Sequence, residues 1–240
     1  MKRLLLGASL LCAPAYAQEL TPQQAFVEAN IVSIFYHEMG HAVIDLMGVP
    51  IFGQEEDAAD AMAVLLIDAL YGEQAAQDIA YDSAFGYIND PDGTEEVAYW
   101  DLHGPDEQRF YNHVCLFYGA NPDDRAALAE DLGLPEERAE TCPEEYDQAI
   151  SSWGAVFDEM EQGSGTSFTL APMAADVPPE IAALMEDEIA ALNRDFSLPE
   201  PVTVKIEPCG EANAFYDPGD VSITLCTEFI PHLQELHDKL

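Results

Sequence analysis

The stretch from Thr21 to Met47 is the feature that most narrows what this chain can fold into. It reads as one long helix, and its second half carries His37-Glu38-Met39-Gly40-His41. Thr21-Pro22 supplies an N-cap followed by proline at the first helical position. Ile31, Ile34 and Phe35 recur at helical spacing, and Gly48-Val49-Pro50 ends the run. On a helix, residues four apart project from one face with Cβ atoms ~5–6 Å from each other. His37 and His41 therefore suit two ligands of one tetrahedral zinc. Glu38 sits beside the first ligand, where it reaches a water on the metal rather than the metal itself, and is the expected general base. The plain alternative is a helix with two polar-face histidines.

A catalytic zinc needs a third protein ligand and an open position for water. After Ile51-Phe52-Gly53 a second helix is expected, beginning Glu55-Glu56-Asp57-Ala58-Ala59-Asp60. Acids at a helix start are favoured by its dipole and need no metal. An antiparallel pair joined by Gly48-Val49-Pro50 would nevertheless bring that start near the histidines. Glu56 is then the expected third ligand, and Asp60, one turn on, accepts the free N–H of a ligand histidine. Glu55 substitutes for Glu56 if the helix is rotated. Ile44 and Met47 stand where a metzincin would carry its Gly and third His.

The second helix continues through Ala61–Tyr71, with Gly72 breaking or bending it before 73–80; residues 82–104 read as a long ordered loop. Helices are expected at about 106–118, from Asn121-Pro122 to Leu132, at 143–160, at 178–193 and at 229–240. Gly163-Ser164-Gly165, within 161–167, is the best linker candidate. Residues 201–207 alternate as Val202, Val204, Ile206 in strand fashion. Ala214–Tyr216 and Val221–Leu225 flank the turn Asp217-Pro218-Gly219-Asp220, which predicts a hairpin. The expected class is α+β: a mostly helical single domain over 18–240, with a helical part at 21–160 and a small antiparallel sheet late in the chain.

Residues 1–17 read as a signal peptide: Met1-Lys2-Arg3, an apolar Leu4–Leu11 and Ala15-Tyr16-Ala17. The apolar run is about half the ~20 residues a membrane span needs. Cleavage would remove Lys2 and Arg3 of the 8 basic residues and none of the 46 acids, taking the formal charge from −38 to −40. Nucleic acid and anionic membrane surfaces are excluded as partners, because no basic stripe could offset their charge. Disorder is excluded by 48% hydrophobic and 10% aromatic residues. Four cysteines remain after processing, which in an exported periplasmic or secreted protein reads as two disulfides. Three pairings are possible. Cys115–Cys142 and Cys209–Cys226 are favoured, since each pair is close in sequence and brackets a compact segment; a four-thiolate zinc site would lack its usual C-x-x-C spacing.

His37-Glu38-x-x-His41 followed by Glu56-x-x-x-Asp60 resembles the gluzincin class of zinc peptidases. More narrowly, Gly53–Asp60, Gln108-Arg109-Phe110-Tyr111-Asn112-x-x-Cys115-x-x-Tyr118-Gly119 and Cys209-Gly210-Glu211-x-Asn213–Pro218 resemble the DUF4344 family of exported bacterial metallopeptidases. The resemblance implies a zincin-like fold with His37, His41 and Glu56 as ligands and Glu38 as base. In zincins the sheet usually precedes the active-site helix, and its edge strand holds extended substrate. Here the strand-like material comes late, so the chain resembles a circular permutation with the hairpin beside the His37 helix.

Tyr216, His103, Arg109 and Tyr111 are candidates for stabilising an oxyanion, with Tyr216 and His103 in front. His113, His232 and His237 read as ordinary surface residues, and Trp100 and Trp153 as core. The expected activity is zinc-dependent hydrolysis of peptides. The rivals are hydrolysis of another amide, such as a cell-wall crosslink, and a catalytically silent protein that keeps metal for stability. The acid surplus predicts a preference for neutral or basic peptides.

Overall fold

Thr21 opens the first helix through a reciprocal cap: its hydroxyl accepts the Gln24 backbone N–H, and the Gln24 side chain accepts the Thr21 N–H. Such a cap contributes about 1 kcal/mol. The computed structural model describes residues 20–88, 96–161 and 167–240. The expected signal peptide and the Gly163–Gly165 linker lie outside the described residues.

Helix α1 (Pro22–Met47) ends at Gly48, whose φ of 63° is a left-handed cap that glycine adopts without a Cβ penalty. Nearly every residue from Phe26 to Ile44 is buried, so α1 is a central post rather than a surface helix. Helix α2 (Glu55–Leu70) packs against it antiparallel: His37 meets Asp60, and His41, one turn later, meets Glu56, one turn earlier. Gly40 makes this approach possible, because a Cβ there would stand 2.9 Å from Ala59 Cα. Helix α3 (Glu73–Ala84) follows the break at Gly72 and runs into a 3₁₀ turn at Phe85–Tyr87. The first part of the expected 82–104 loop is therefore helical; residues 89–95 lie outside the described set. Helices α4 (Asp106–Ala120), α5 (Pro122–Asp131), α6 (Glu136–Ala139) and α7 (Cys142–Glu161) complete the helical part. The bridge Cys115–Cys142 ties α4 to α7.

Strand β1 (Phe168–Leu170), helix α8 (Pro179–Asp195), strands β2 (Val202–Glu207), β3 (Ala214–Asp217) and β4 (Ser222–Cys226) and helix α9 (Phe229–His237) form the rest. The fold is α+β. The hairpin is present, but the sheet is mixed rather than antiparallel throughout, in the order β1-β2-β4-β3. Its β1–β2 and β2–β4 pairs are parallel, and only β3–β4 is antiparallel. The reason is that β4 slots between β2 and β3, and α8 makes the crossover that lets β1 and β2 run parallel. Every residue of β4 is buried, as its central place requires. The turn is set by Asp217, whose Oδ1 accepts the Gly219 N–H at 2.7 Å. The Cys209–Cys226 bridge staples the approach to β3 onto the end of β4. Each bridge closes a loop whose lost freedom in the unfolded chain is worth about 3 kcal/mol.

The sheet joins the helices through α1. Phe168 packs edge-on against Phe35. Buried Tyr36 and nearby Tyr71 both donate to Glu188 on α8, at 2.6 and 2.5 Å. This pairing satisfies a carboxylate whose burial would otherwise be costly.

Candidate metal centre and cleft

Three imidazoles from two parts of the chain converge on the Glu56 carboxylate of a third. His37 Nε2 and His41 Nε2 lie 3.2 Å apart, and Glu56 Oε2 is 3.2 Å from the first and 3.3 Å from the second. His103 Nε2 stands 3.0 Å from the same oxygen. The other nitrogen of each imidazole is held by a carboxylate: His37 Nδ1 by Asp60 at 2.8 Å, His41 Nδ1 by Glu55 at 2.8 Å and His103 Nδ1 by Asp101 at 3.2 Å. A carboxylate accepts, so each Nδ1 donates its proton there, and each Nε2 is the nitrogen turned to the common site.

The donor set fits a metal. Glu56 Oε2 is buried without a hydrogen bond although three nitrogens surround it. Nitrogen and carboxylate atoms packed this closely repel unless a proton or a metal ion stands between them. Donors arranged tetrahedrally at about 2.1 Å from an ion are spaced by about 3.4 Å, close to the separations found here. The surroundings favour positive charge in another way. Burial acts to lower the His37 pKa, yet the adjacent Asp60 and Glu56 carboxylates overcome it and raise it to about 9, so a proton is held where a cation would sit. His103, His37 and His41 together hold the Glu56 carboxyl far below the carboxylate range.

Asp60 is itself anchored. Arg109 Nε and an Arg109 terminal nitrogen donate to its two oxygens at 2.8 and 2.9 Å, and the guanidinium lies over the Tyr87 ring. Arg109 is therefore a support for the ligand's partner. Asp60 is buried, which alone would raise its pKa, but Arg109 and His37 bring it well below normal.

Glu38 is buried on α1 and lines the cleft. Burial raises its carboxyl above the ordinary value, against the pull of His37, His41 and a Tyr216 backbone N–H. That N–H comes from β3. In the antiparallel β3–β4 pair, Cys226 N–H bonds to Asn213 C=O, so the alternation turns the backbone groups of Ala214 and Tyr216 to the free edge. Tyr216 lies on the cleft wall with its hydroxyl donating to Asp45 at 2.8 Å, one turn beyond His41.

The cleft measures about 2070 Å³, well above the ~300–1,000 Å³ of a small-molecule pocket. It follows one face of α1 from Asn30 through His37 and His41 to Gly48, between β3 on one side and residues 96–107 on the other. Its acids include Glu38, Asp45, Glu55, Glu56, Asp60, Glu96, Asp101 and Glu107. Its one lysine or arginine among the described residues, Arg109, is committed to Asp60.

Of the sequence candidates, His37, Glu38, His41, Glu56, Asp60, His103 and Tyr216 come together, whereas Tyr111 does not line the cleft. Glu55 is spent on His41 rather than standing in for Glu56. Two readings are corrected. His113 is not a surface residue: it is 3% exposed, with Nε2 on the Ala80 carbonyl at 3.0 Å, and burial lowers its pKa to about 4. Trp100 is not core but 85% exposed at the cleft rim, while Trp153 is buried as expected. Asp45 and Asp101 escaped the sequence reading. Asp101 could have been found from its spacing two residues before His103.

Gly40 gives the site a testable weak point. Gly40→Val is expected to force α2 from α1 at Ala59, an overpacking cost of about 1–3 kcal/mol. Glu56 would move from the histidines, so metal titration should show affinity about tenfold or more lower. Unchanged affinity would mean that the ligand geometry does not depend on this contact.

A donor set of imidazoles and one carboxylate facing a long cleft suits a metal-dependent hydrolase. The chain belongs to the DUF4344 family, described as "Putative metallopeptidase", whose model matches residues 11–157 and 180–240. Searches of curated proteins and of solved structures return no match.

Proposed function

We propose that the protein is an exported zinc peptidase in which His37, His41 and Glu56 hold the metal and Glu38 is the general base. The observation that carries this reading is the close triangle of His37 Nε2, His41 Nε2 and Glu56 Oε2, with Glu38 beside it. Zinc held there supplies the Lewis acidity that makes water nucleophilic near neutral pH and polarises a carbonyl. Glu38 takes the proton of the attacking water and returns it to the leaving amine. Its buried position favours this shuttle, because burial raises the carboxyl's proton affinity. Tyr216 is the oxyanion donor, exchanging Asp45 for the charge that develops on the substrate oxygen.

The edge of β3 that faces away from β4 offers an extended peptide the Ala214 and Tyr216 carbonyls, laying it along α1 past Glu38. This arrangement supports the permuted zincin reading, in which a late strand does the work of one that usually comes early. Residues 18–240 act as one unit in this reading. Two disulfides fit an oxidising compartment outside the cytoplasm, and no described helix is long and apolar enough to cross a membrane. The acidic walls favour peptides that are neutral or basic. Digestion of casein and of peptidoglycan with zinc-loaded and chelator-treated protein tests the proposal. Casein fragments that disappear with zinc removal support a peptidase. Release of cell-wall fragments with intact casein would overturn it.

A further inference from the structure

We propose that His103 is a fourth, displaceable ligand of the metal, so that protein closes the resting site and the segment 96–105 must lift for water and substrate to enter. This rests on the metal reading above. The first ground is that His103 is built like the other two histidines. Its Nδ1 is held by Asp101, as His37 is held by Asp60 and His41 by Glu55. Its Nε2 is therefore the nitrogen turned to the site, 3.0 Å from Glu56 Oε2, and the donor atoms of His37, Glu56 and His103 all lie within 4.8 Å of one another.

The second ground is where His103 sits. The side chains of His37 and His41 are 4% and 14% exposed on a packed helix, whereas that of His103 is 47% exposed. Its segment contains neither helix nor strand and leaves Tyr99, Trp100 and Leu102 largely in solvent at the cleft rim. Moving this segment breaks few buried contacts, while moving α1 or α2 would open the core. Metal centres with four protein ligands are closed and structural, and those with three keep a place for water. A loop-borne fourth ligand allows one centre to be both. The exposed aromatic side chains beside His103 give an incoming peptide a handle, so that its binding can draw the imidazole off.

The test compares the full mature chain with its His103→Ala, His103→Asn and His37→Ala variants, using Zn²⁺ competition against a chromophoric chelator and the visible absorption of bound Co²⁺. Circular dichroism confirms folding. Both His103 variants should bind metal about 10- to 100-fold more weakly, on the scale of losing a ligand's supporting partner. Their Co²⁺ spectra should change to those of a centre with solvent in it, and a short peptide should be cleaved faster. The metal-dependent fluorescence change of Trp100, read against Trp100→Phe, should vanish in both. Unchanged affinity and spectrum at position 103, with metal lost in His37→Ala, would overturn the fourth ligand and leave the three-ligand centre standing. Retained affinity with turnover lowered about 10²–10³-fold would instead make His103 an oxyanion donor. A folded wild-type protein that binds no metal would overturn both readings.

Discussion

Glu38→Gln is expected to reduce peptide hydrolysis by about 10²–10⁴-fold while the purified protein keeps its full metal content. The substitution conserves shape, so the amide oxygen can still accept the Tyr216 backbone N–H that now reaches the Glu38 carboxylate. What it removes is the ability to take up a proton. It also removes a buried charge, so thermal stability should hold or rise slightly. Metal analysis and single-turnover kinetics on one preparation check the pair of outcomes. Full activity with metal bound would take the base role from Glu38. Loss of metal together with activity would mean that Glu38 helps to hold the ion.

His37→Ala and Glu56→Ala should behave in the opposite way, losing the metal itself. Each deletes one corner of a triangle whose sides are 3.2, 3.2 and 3.3 Å. A ligand present at about 1,000 times its dissociation constant stabilises the native state by about 4 kcal/mol. The zinc-dependent rise in melting temperature should therefore be large in the wild type and absent in His37→Ala. If Glu56→Ala bound zinc as tightly as the wild type, Glu55 would become the ligand to examine, since it already touches His41.

What could be read from the sequence was local. The cap at Thr21, the histidine pair and the Asp217–Asp220 turn each depend on residues a few positions apart, and each forms as expected. The meeting of Glu56 and Asp60 with the histidines was legible because a short Gly-Val-Pro connection leaves an antiparallel pair as the natural geometry. The parallel pairs of β1, β2 and β4 were not legible: they join segments linked through α8 or around β3, and no short-range pattern encodes such partners. His113 and Trp100 show the same limit from the side of burial. The α4 face that carries His113 is covered by α3 and the Phe85–Tyr87 turn, whereas Trp100 has apolar neighbours in sequence but, among the described residues, no element laid over it.

The late position of β3 has a bearing on when the cleft becomes complete. The histidine pair on α1 is made early in synthesis, but Tyr216, whose backbone N–H reaches Glu38, follows Asp45 by 171 residues. Glu188, which locks α8 against Tyr36, follows it by 152. A partly made or partly threaded chain thus holds the histidines without the strand against which a peptide could be laid. If the cleft cuts peptides as proposed, its edge strand is among the last parts of it to be fitted.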